Sequence, residues 1–263
     1  MNSFPSSEED SEICEKHKQL LETLPKGSGW RVQHVYNYNG FWLDPKSIKN
    51  NLLLHTYFRS QPTDIFLASF MKSGTTWLKA LMFSTLNRHR YSFSDHHLHN
   101  HSPQSTFPFL DSESYPITDF TNMSVPRLFA THFPRTLLPA CMSSCNLESP
   151  DKILFLKYED IKEQPEVVVR KLAAFMGKPF TVEEEEVREI VKLCSFENLS
   201  NLEVNKKGVD KFGTLVEVER RYFFRKGEIG DWKNYLSEEM KERIDAITDV
   251  KFQGSGLILN AKV

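Results

Sequence analysis

Apolar positions are sparse at the start of the chain. A helical rhythm first shows in residues 16–24 (KHKQLLETL), so a short amphipathic helix is expected within a loosely held arm over residues 1–29. Residues 30–43 (WRVQHVYNYNGFWL) are dense in aromatics with one glycine, which reads as strand followed by loop. Three apolar runs follow at residues 64–71 (DIFLASFM), 127–131 (RLFAT) and 152–158 (KILFLKY), each the length of a buried parallel strand. Helical spacing follows the first run, with Trp77/Leu81 and Leu78/Met82 four apart. Residues 166–176 (EVVVRKLAAFM) read as an amphipathic helix stopped by Gly177. Residues 181–194 read as another, opened by a Thr181/Glu184 capping box, with Val187, Ile190, Val191 and Cys194 on one face. Its glutamates suit a solvated first turn. Residues 205–225 are charged and aperiodic, hence loop, and residues 237–249 form a last helix. Strands alternating with helices indicate an α/β fold with a parallel sheet.

A length of 263 residues fits one large α/β domain or two small ones. With 40% hydrophobic and 26% charged residues, a disordered or collagen-like chain is excluded. No apolar run nears the roughly 20 residues that span a bilayer. The start, MNSFPSSEEDSE, has no basic and apolar signal-peptide regions, and its acidity argues against a transit peptide. A net charge of −2 argues against a global grip on nucleic acid and leaves room for a local basic pocket. Cys14, Cys141, Cys145 and Cys194 are too few for a disulfide scaffold, which indicates a reducing, cytoplasmic setting. Cys141 and Cys145 have zinc-ligand spacing but no second pair close by, and no metal is expected. His96, His97, His99 and His101 fall in the irregular stretch 88–124 and read as a solvated loop.

Three places carry candidate chemistry. Lys72, Ser73, Gly74, Thr75 and Thr76 lie between a strand and a helix. There, backbone N–H groups, hydroxyls and the helix dipole favour an anion, and Lys72 adds a full charge. Residues 67–74 read LASFMKSG, so this is not a Walker A loop. His132 directly follows the second strand, where ligands of parallel sheets bind, and a histidine there can serve as general base. Arg225 and Lys226 precede Gly227, a pattern that lets a backbone approach a phosphate beside two cations. The plainer readings are an ordinary strand–helix turn, a packing histidine and a basic surface turn. The aromatics of residues 30–43 suit either core packing or a pocket for an apolar ligand.

KSGTTW after an apolar strand, THFP after a second, KYED after a third, then LCSFENL and RKGEIGDW occur in that order. From about residue 30 to the end, the chain resembles a plant-type cytosolic sulfotransferase. The resemblance implies a single sulfotransferase domain over residues 30–263. It implies a three-layer αβα, P-loop-kinase-like fold around a central parallel sheet. It also implies 3′-phosphoadenosine 5′-phosphosulfate as co-substrate, sulfuryl transfer to a small hydroxylated metabolite, no metal, and no nucleic-acid or membrane partner. In that family the loop matching Lys72, Ser73, Gly74, Thr75, Thr76 and Trp77 grips the phosphosulfate, and the tryptophan stacks on adenine. The lysine matching Lys72 stabilises the leaving phosphate, and the histidine matching His132 removes the acceptor proton. Residues matching Tyr158, Cys194 and Phe196 line the adenine side. Those matching Arg225, Lys226 and Gly227 clamp the 3′-phosphate.

The chain departs from the family between His132 and Lys152. Members carry a further strand and helices there, with an arginine and a serine that bind the 3′-phosphate. Residues 135–150 are too few for a crossover unit of about 30 residues, so one strand and its helices are missing. Arg135, Ser143 or Ser144 could stand in for the lost pair. Charge-assisted bonds contribute about 1.5–3 kcal/mol each, so losing two weakens donor binding by roughly two to four orders of magnitude. The dimerisation motif of animal members is not recognisable in residues 211–219, which leaves the oligomeric state open. Two alternatives remain: a non-catalytic nucleotide- or metabolite-binding relic of the family, and a small-molecule kinase. The absent Walker A glycine weighs against the kinase.

Overall fold

The computed structural model describes residues 7–29, 32–111, 120, 123–143, 152–181, 184–212 and 216–255. It divides into two compact units, Met1–Phe224 and Arg225–Val263.

The first unit begins with helix α1 (Ser7–Thr23), followed by strands β1 (Lys26–Ser28), β2 (His34–Tyr38) and β3 (Phe41–Leu43) in an antiparallel meander. Asn39 and Gly40 both take positive φ, 51° and 86°, as a tight two-residue hairpin turn requires. Residues 34–43 are therefore a hairpin rather than a strand and a loop; Trp30 and Arg31 lie outside the described residues. The N-terminal helix is also longer and better fastened than expected. Ile13 is buried, and His17 Nε2 lies 2.7 Å from the carbonyl of Pro45 at the start of α2 (Pro45–Tyr57). That helix starts where Asp44 accepts from the N–H groups of Lys46 and Ser47.

Strand β4 (Ile65–Ala68) leads into α3 (Thr75–Leu86), and β5 (Leu128–Thr131) pairs parallel with β4. Their register runs from Ile65↔Leu128 to Ala68↔Thr131. Arg127 secures its start. The guanidinium donates to both carboxylate oxygens of Asp64, at 2.6 and 2.7 Å, with both side chains buried. Residues 108–110 add a rung on the far side of β5, through Leu110 N–H to Ala130 O (2.8 Å) and Ala130 N–H to Pro108 O (2.9 Å). The period of two sorts the side chains into two cores. Leu67, Leu128 and Ala130 pack with α3, α6 (Pro165–Phe175) and α7 (Glu184–Leu193). Phe66 and Phe129 face the opposite cluster, with Leu54 of α2, Phe58 and Leu137. Helix, sheet and helix thus form the three layers that the sequence implies.

The stretch 152–158 corrects the reading of a third buried strand. Residues 153–157 belong to no strand or helix, and Tyr158 opens helix α5 (Tyr158–Glu163). Leu154 and Leu156 pack on the core, while Ile153 and Phe155 are 44% and 50% exposed. An apolar alternating sequence becomes a strand only when a neighbour accepts its hydrogen bonds. Among the described residues no strand lies beside this stretch to accept those bonds. Among the described residues β4 pairs with β5 alone, so the parallel sheet has two strands.

Short helix α4 (Ala140–Ser143) follows β5. Gly177, at φ +70°, follows the end of α6, as expected. The proposed Thr181 cap involves residues 182–183, which lie outside the described residues. Past α8 (Phe196–Asn201) and α9 (Glu203–Lys206), residues 205–225 are not plain loop. They hold a hairpin of β6 (Val209–Phe212) and β7 (Val216–Glu219). The histidine cluster is not solvated throughout either. His96 is buried, which pushes its pKa down to about 4, and His97 stacks on His101 at 3.9 Å. No group of three or more His, Cys, Asp or Glu among the described residues could hold a metal. Cys145 and Ser144, and the side chain of Ser143, lie outside them.

The second unit holds a turn over residues 225–235 and α10 (Glu238–Phe252), capped by Ser237. Among the described residues no helix is long and apolar enough to cross a membrane.

Candidate active site

The carboxyl ends of β4 and β5 are flush, and each delivers one candidate group. Beyond β4 the chain turns through Lys72 at φ +67° and Gly74 at φ +103°, and α3 begins. A side chain at Gly74 would take a strained backbone and put its Cβ 3.2 Å from Tyr158 Cδ2, so glycine is required twice over. No side chain caps α3, so its first-turn N–H groups are not taken by a side-chain cap. Phe70, Met71, Lys72 and Ser73 are exposed.

The hydroxyls are already divided between internal and outward roles. Ser73 donates to the carbonyl of Phe70 at 2.6 Å, and Ser69 and Thr75 share a bond of 2.7 Å. Thr76 Oγ1 accepts from Gln104 Nε2 at 2.7 Å, which leaves its own proton to give. Lys72 Nζ donates to the carbonyl of Tyr222 at 2.7 Å. Trp77 meets the edge of Tyr158 with ring centroids 5.8 Å apart, and its buried indole N–H has no hydrogen-bond partner among the described residues.

His132 leaves the end of β5. Its Nδ1 lies 2.6 Å from the carbonyl of Ser69, the residue that starts the anion loop. A carbonyl can only accept, so Nδ1 carries the proton and Nε2 of the neutral ring keeps its lone pair. Burial lowers the ring's pKa; the Ser69 bond opposes this, and the charge of Lys79 adds to the lowering. The imidazole is therefore neutral and basic near pH 7. The Asp111 carboxylate holds the end of β5, accepting from His132 N–H and Thr131 Oγ1, both at 2.5 Å. Burial raises Asp111 to about 6 against those two bonds, which favour its charged form.

Other sequence-predicted residues fall elsewhere. Cys194 is in the core, fully buried, with its thiol on Ser84 Oγ at 3.4 Å and burial raising it to about 12. It offers no surface to a ligand. Phe196 meets Phe224 edge-on at 6.3 Å. Arg225, Lys226 and Gly227 belong to the second unit. There Asp231 binds Arg225 Nη2 at 3.0 Å and Lys226 Nζ at 2.9 Å, and Gly227 takes φ +67°. Lys226 and Asn234 hold Asp231 below the usual carboxylate range. Arg135 is exposed in a short 3-10 turn. Asp111, Gln104 and Lys79 escaped sequence reasoning. The signals were a lone lysine in an apolar helix and an aspartate closing the run FPFL.

The family model for the Sulfotransferase domain matches residues 62–147 and 143–256. The chain belongs to the sulfotransferase family. The two matches meet at residues 143–147, within the stretch between His132 and Lys152. Cytosolic sulfotransferase 12 of Arabidopsis thaliana is 36% identical, with 97% of this chain and 98% of that relative covered. That alignment extends over 323 positions, more than the 263 residues present here. Flavonol 4′-sulfotransferase of Flaveria chlorifolia is 34% identical over 93% of this chain and 97% of its own. A crystal structure from Arabidopsis thaliana, named as a steroid sulphotransferase, superposes with a TM-score of 0.72 at 29% identity. It covers 98% of this chain and 100% of that one. Retinol dehydratase bound to retinol and PAP shares the fold at a TM-score of 0.62 and 17% identity, over 93% and 96% of the two chains.

Proposed function

We propose that this sulfotransferase takes a sulfuryl group from 3′-phosphoadenosine 5′-phosphosulfate and places it on a hydroxyl of a small aromatic or steroid-like metabolite in the cytoplasm. The carrying observation is the bond between His132 Nδ1 and Ser69 O, which ties a base to an anion loop. The loop fits the donor's chemistry. An α3 start without a side-chain cap, a lysine and a threonine proton suit a phosphosulfate, and the Trp77 indole N–H, without a partner among the described residues, lies in the following turn. When bound, the donor supplies the sulfuryl group and the leaving 5′-phosphate.

His132 Nε2 accepts the proton of the acceptor hydroxyl as that oxygen bonds to sulfur and the sulfur–oxygen bond to the phosphate breaks. Lys72 and the α3 N-terminus hold the charge left on the phosphate. Tyr158 and Trp77, in edge-to-face contact, supply aromatic surface for adenine. Within the second unit, Asp231 binds both Arg225 and Lys226 beside Gly227, a basic turn whose composition suits a phosphate. Names of relatives that refer to flavonols and steroids support a flat hydroxylated acceptor.

The two-stranded sheet favours a second reading, a binder that has lost transfer. In that reading, donor affinity falls below that of a full-length relative. Calorimetric titration with adenosine 3′,5′-bisphosphate, beside a sulfation assay on phenols, flavonols and steroids, separates the readings. Binding with transfer supports the enzyme, and binding alone supports the relic. Lys72→Ala removes most of the affinity in either case, and unchanged affinity refutes the assignment of the loop.

A further inference from the structure

Lys79 lies on α3, one turn beyond Thr76, and is completely buried. Its ammonium donates to the carbonyls of Gln104 and Phe107, both at 2.7 Å. It also sits 4.6 Å from the ring centroid of Phe107 and 5.5 Å from that of Phe109. The strap it holds, residues 104–111, touches both halves of the site. At one end Gln104 Nε2 donates to Thr76. At the other, the Phe109 ring packs on His132 with centroids 4.6 Å apart, and Asp111 accepts from the His132 N–H.

We propose that Lys79 is a positioning residue shared by the two halves of the site: it pins the 104–111 strap, which sets Thr76 for the donor and His132 for the acceptor. The proposal rests on the reading of His132 as base. An apolar residue of the same length would fill the space but leave two interior carbonyls without donors. Only a charged lysine also adds a field at the imidazole. Among the described residues the charge acting on that ring is Lys79 from α3; Asp111 from the strap meets the His132 main-chain N–H, and the segment after β4 contributes the Ser69 carbonyl. Burial lowers Lys79 to about 7, opposed by Asp210 of β6, so the lysine is charged over the lower pH range in which His132 titrates.

The test uses the full chain with ¹³C-labelled histidine, the His132 ring signal being assigned by its loss in His132→Asn. Wild type, Lys79→Met and Lys79→Gln are titrated by NMR and by calorimetry with adenosine 3′,5′-bisphosphate. The His132 midpoint rises in both variants, because both lack the charge. Nucleotide affinity falls about tenfold in Lys79→Met, the equivalent of one hydrogen bond. It falls less in Lys79→Gln, whose amide still donates to the strap. Transfer, where measured, falls about 10²-fold in Lys79→Met through misplacement of the base. An unmoved His132 midpoint in either folded variant overturns the proposal, and so does failure of both variants to fold. If wild type binds no nucleotide, the reading of the site fails on its own, and the histidine titration still decides whether Lys79 acts on His132.

Discussion

Replacing Asp111 by asparagine removes one titrating carboxyl and little volume. In the folded chain this carboxyl ionises near 6 rather than 3.8, because burial outweighs its bonds to Thr131 and His132. Below pH 3.8 both folded and unfolded states are protonated. Between 3.8 and about 6 the unfolded chain loses the proton that the folded one keeps, so stability falls as pH rises; above about 6 the loss is complete. A difference of about two pH units at 1.36 kcal/mol each amounts to on the order of 3 kcal/mol. His96, lowered by burial to about 4, works in the opposite direction across the same range. It is present in both proteins and cancels in the comparison. At pH 4 the two proteins should lie within about 1 kcal/mol of each other, since the amide offers one acceptor and one donor like the protonated carboxyl. By pH 7 the variant should be the more stable, by on the order of 3 kcal/mol at most, because it has no carboxyl to ionise. Urea unfolding followed by tryptophan fluorescence from pH 4 to 7.5 measures the difference. A constant gap across that range would show that Asp111 is not ionising in a buried place, and the account of how β5 is held would fail.

His132→Ala should reduce transfer by about 10²–10⁴-fold, the usual contribution of a general base, and leave adenosine 3′,5′-bisphosphate affinity within about threefold. Steady-state sulfation beside calorimetry checks this, and retained turnover would make His132 a structural residue. Phe155→Ser should change stability by no more than about 0.5 kcal/mol, because that ring is half exposed on a segment outside any strand or helix. Leu154→Ala, beside it on the core side, should cost about 1–2 kcal/mol, less than a fully buried leucine. Urea midpoints of the pair test the placement, and a large loss from Phe155→Ser contradicts it.

What could be read from the chain was local. The runs at 64–71 and 127–131 became the parallel pair because each was short, apolar and followed by a chemically distinctive turn. Lys72, Gly74 and His132 stand where those turns put them. The run at 152–158 looked the same and did not become a strand, since pairing depends on a partner elsewhere in the chain. Two hairpins escaped for the opposite reason. Asn39-Gly40 is a strong turn signal that the surrounding aromatics obscured, and the charges of residues 209–219 hid a short alternation of valines and acids. The supports of the site were least legible. Lys79 meets the carbonyls of Gln104 and Phe107, and Asp111 meets Thr131 and His132, at separations of 20 to 28 residues along the chain. Cys194 illustrates the converse: its motif placed it beside a ligand, and packing placed it behind α3.

The ladder around the site is lopsided. Strand β5 is hydrogen-bonded on both flanks, by β4 and by residues 108–110, whereas β4 among the described residues is bonded on one. A strand clamped from both sides resists torsion, and one clamped from a single side twists more readily. His132 thus follows a strand bonded on both flanks, and the Lys72 loop follows one bonded, among the described residues, on one flank and tied to the first through Ser69 and His132.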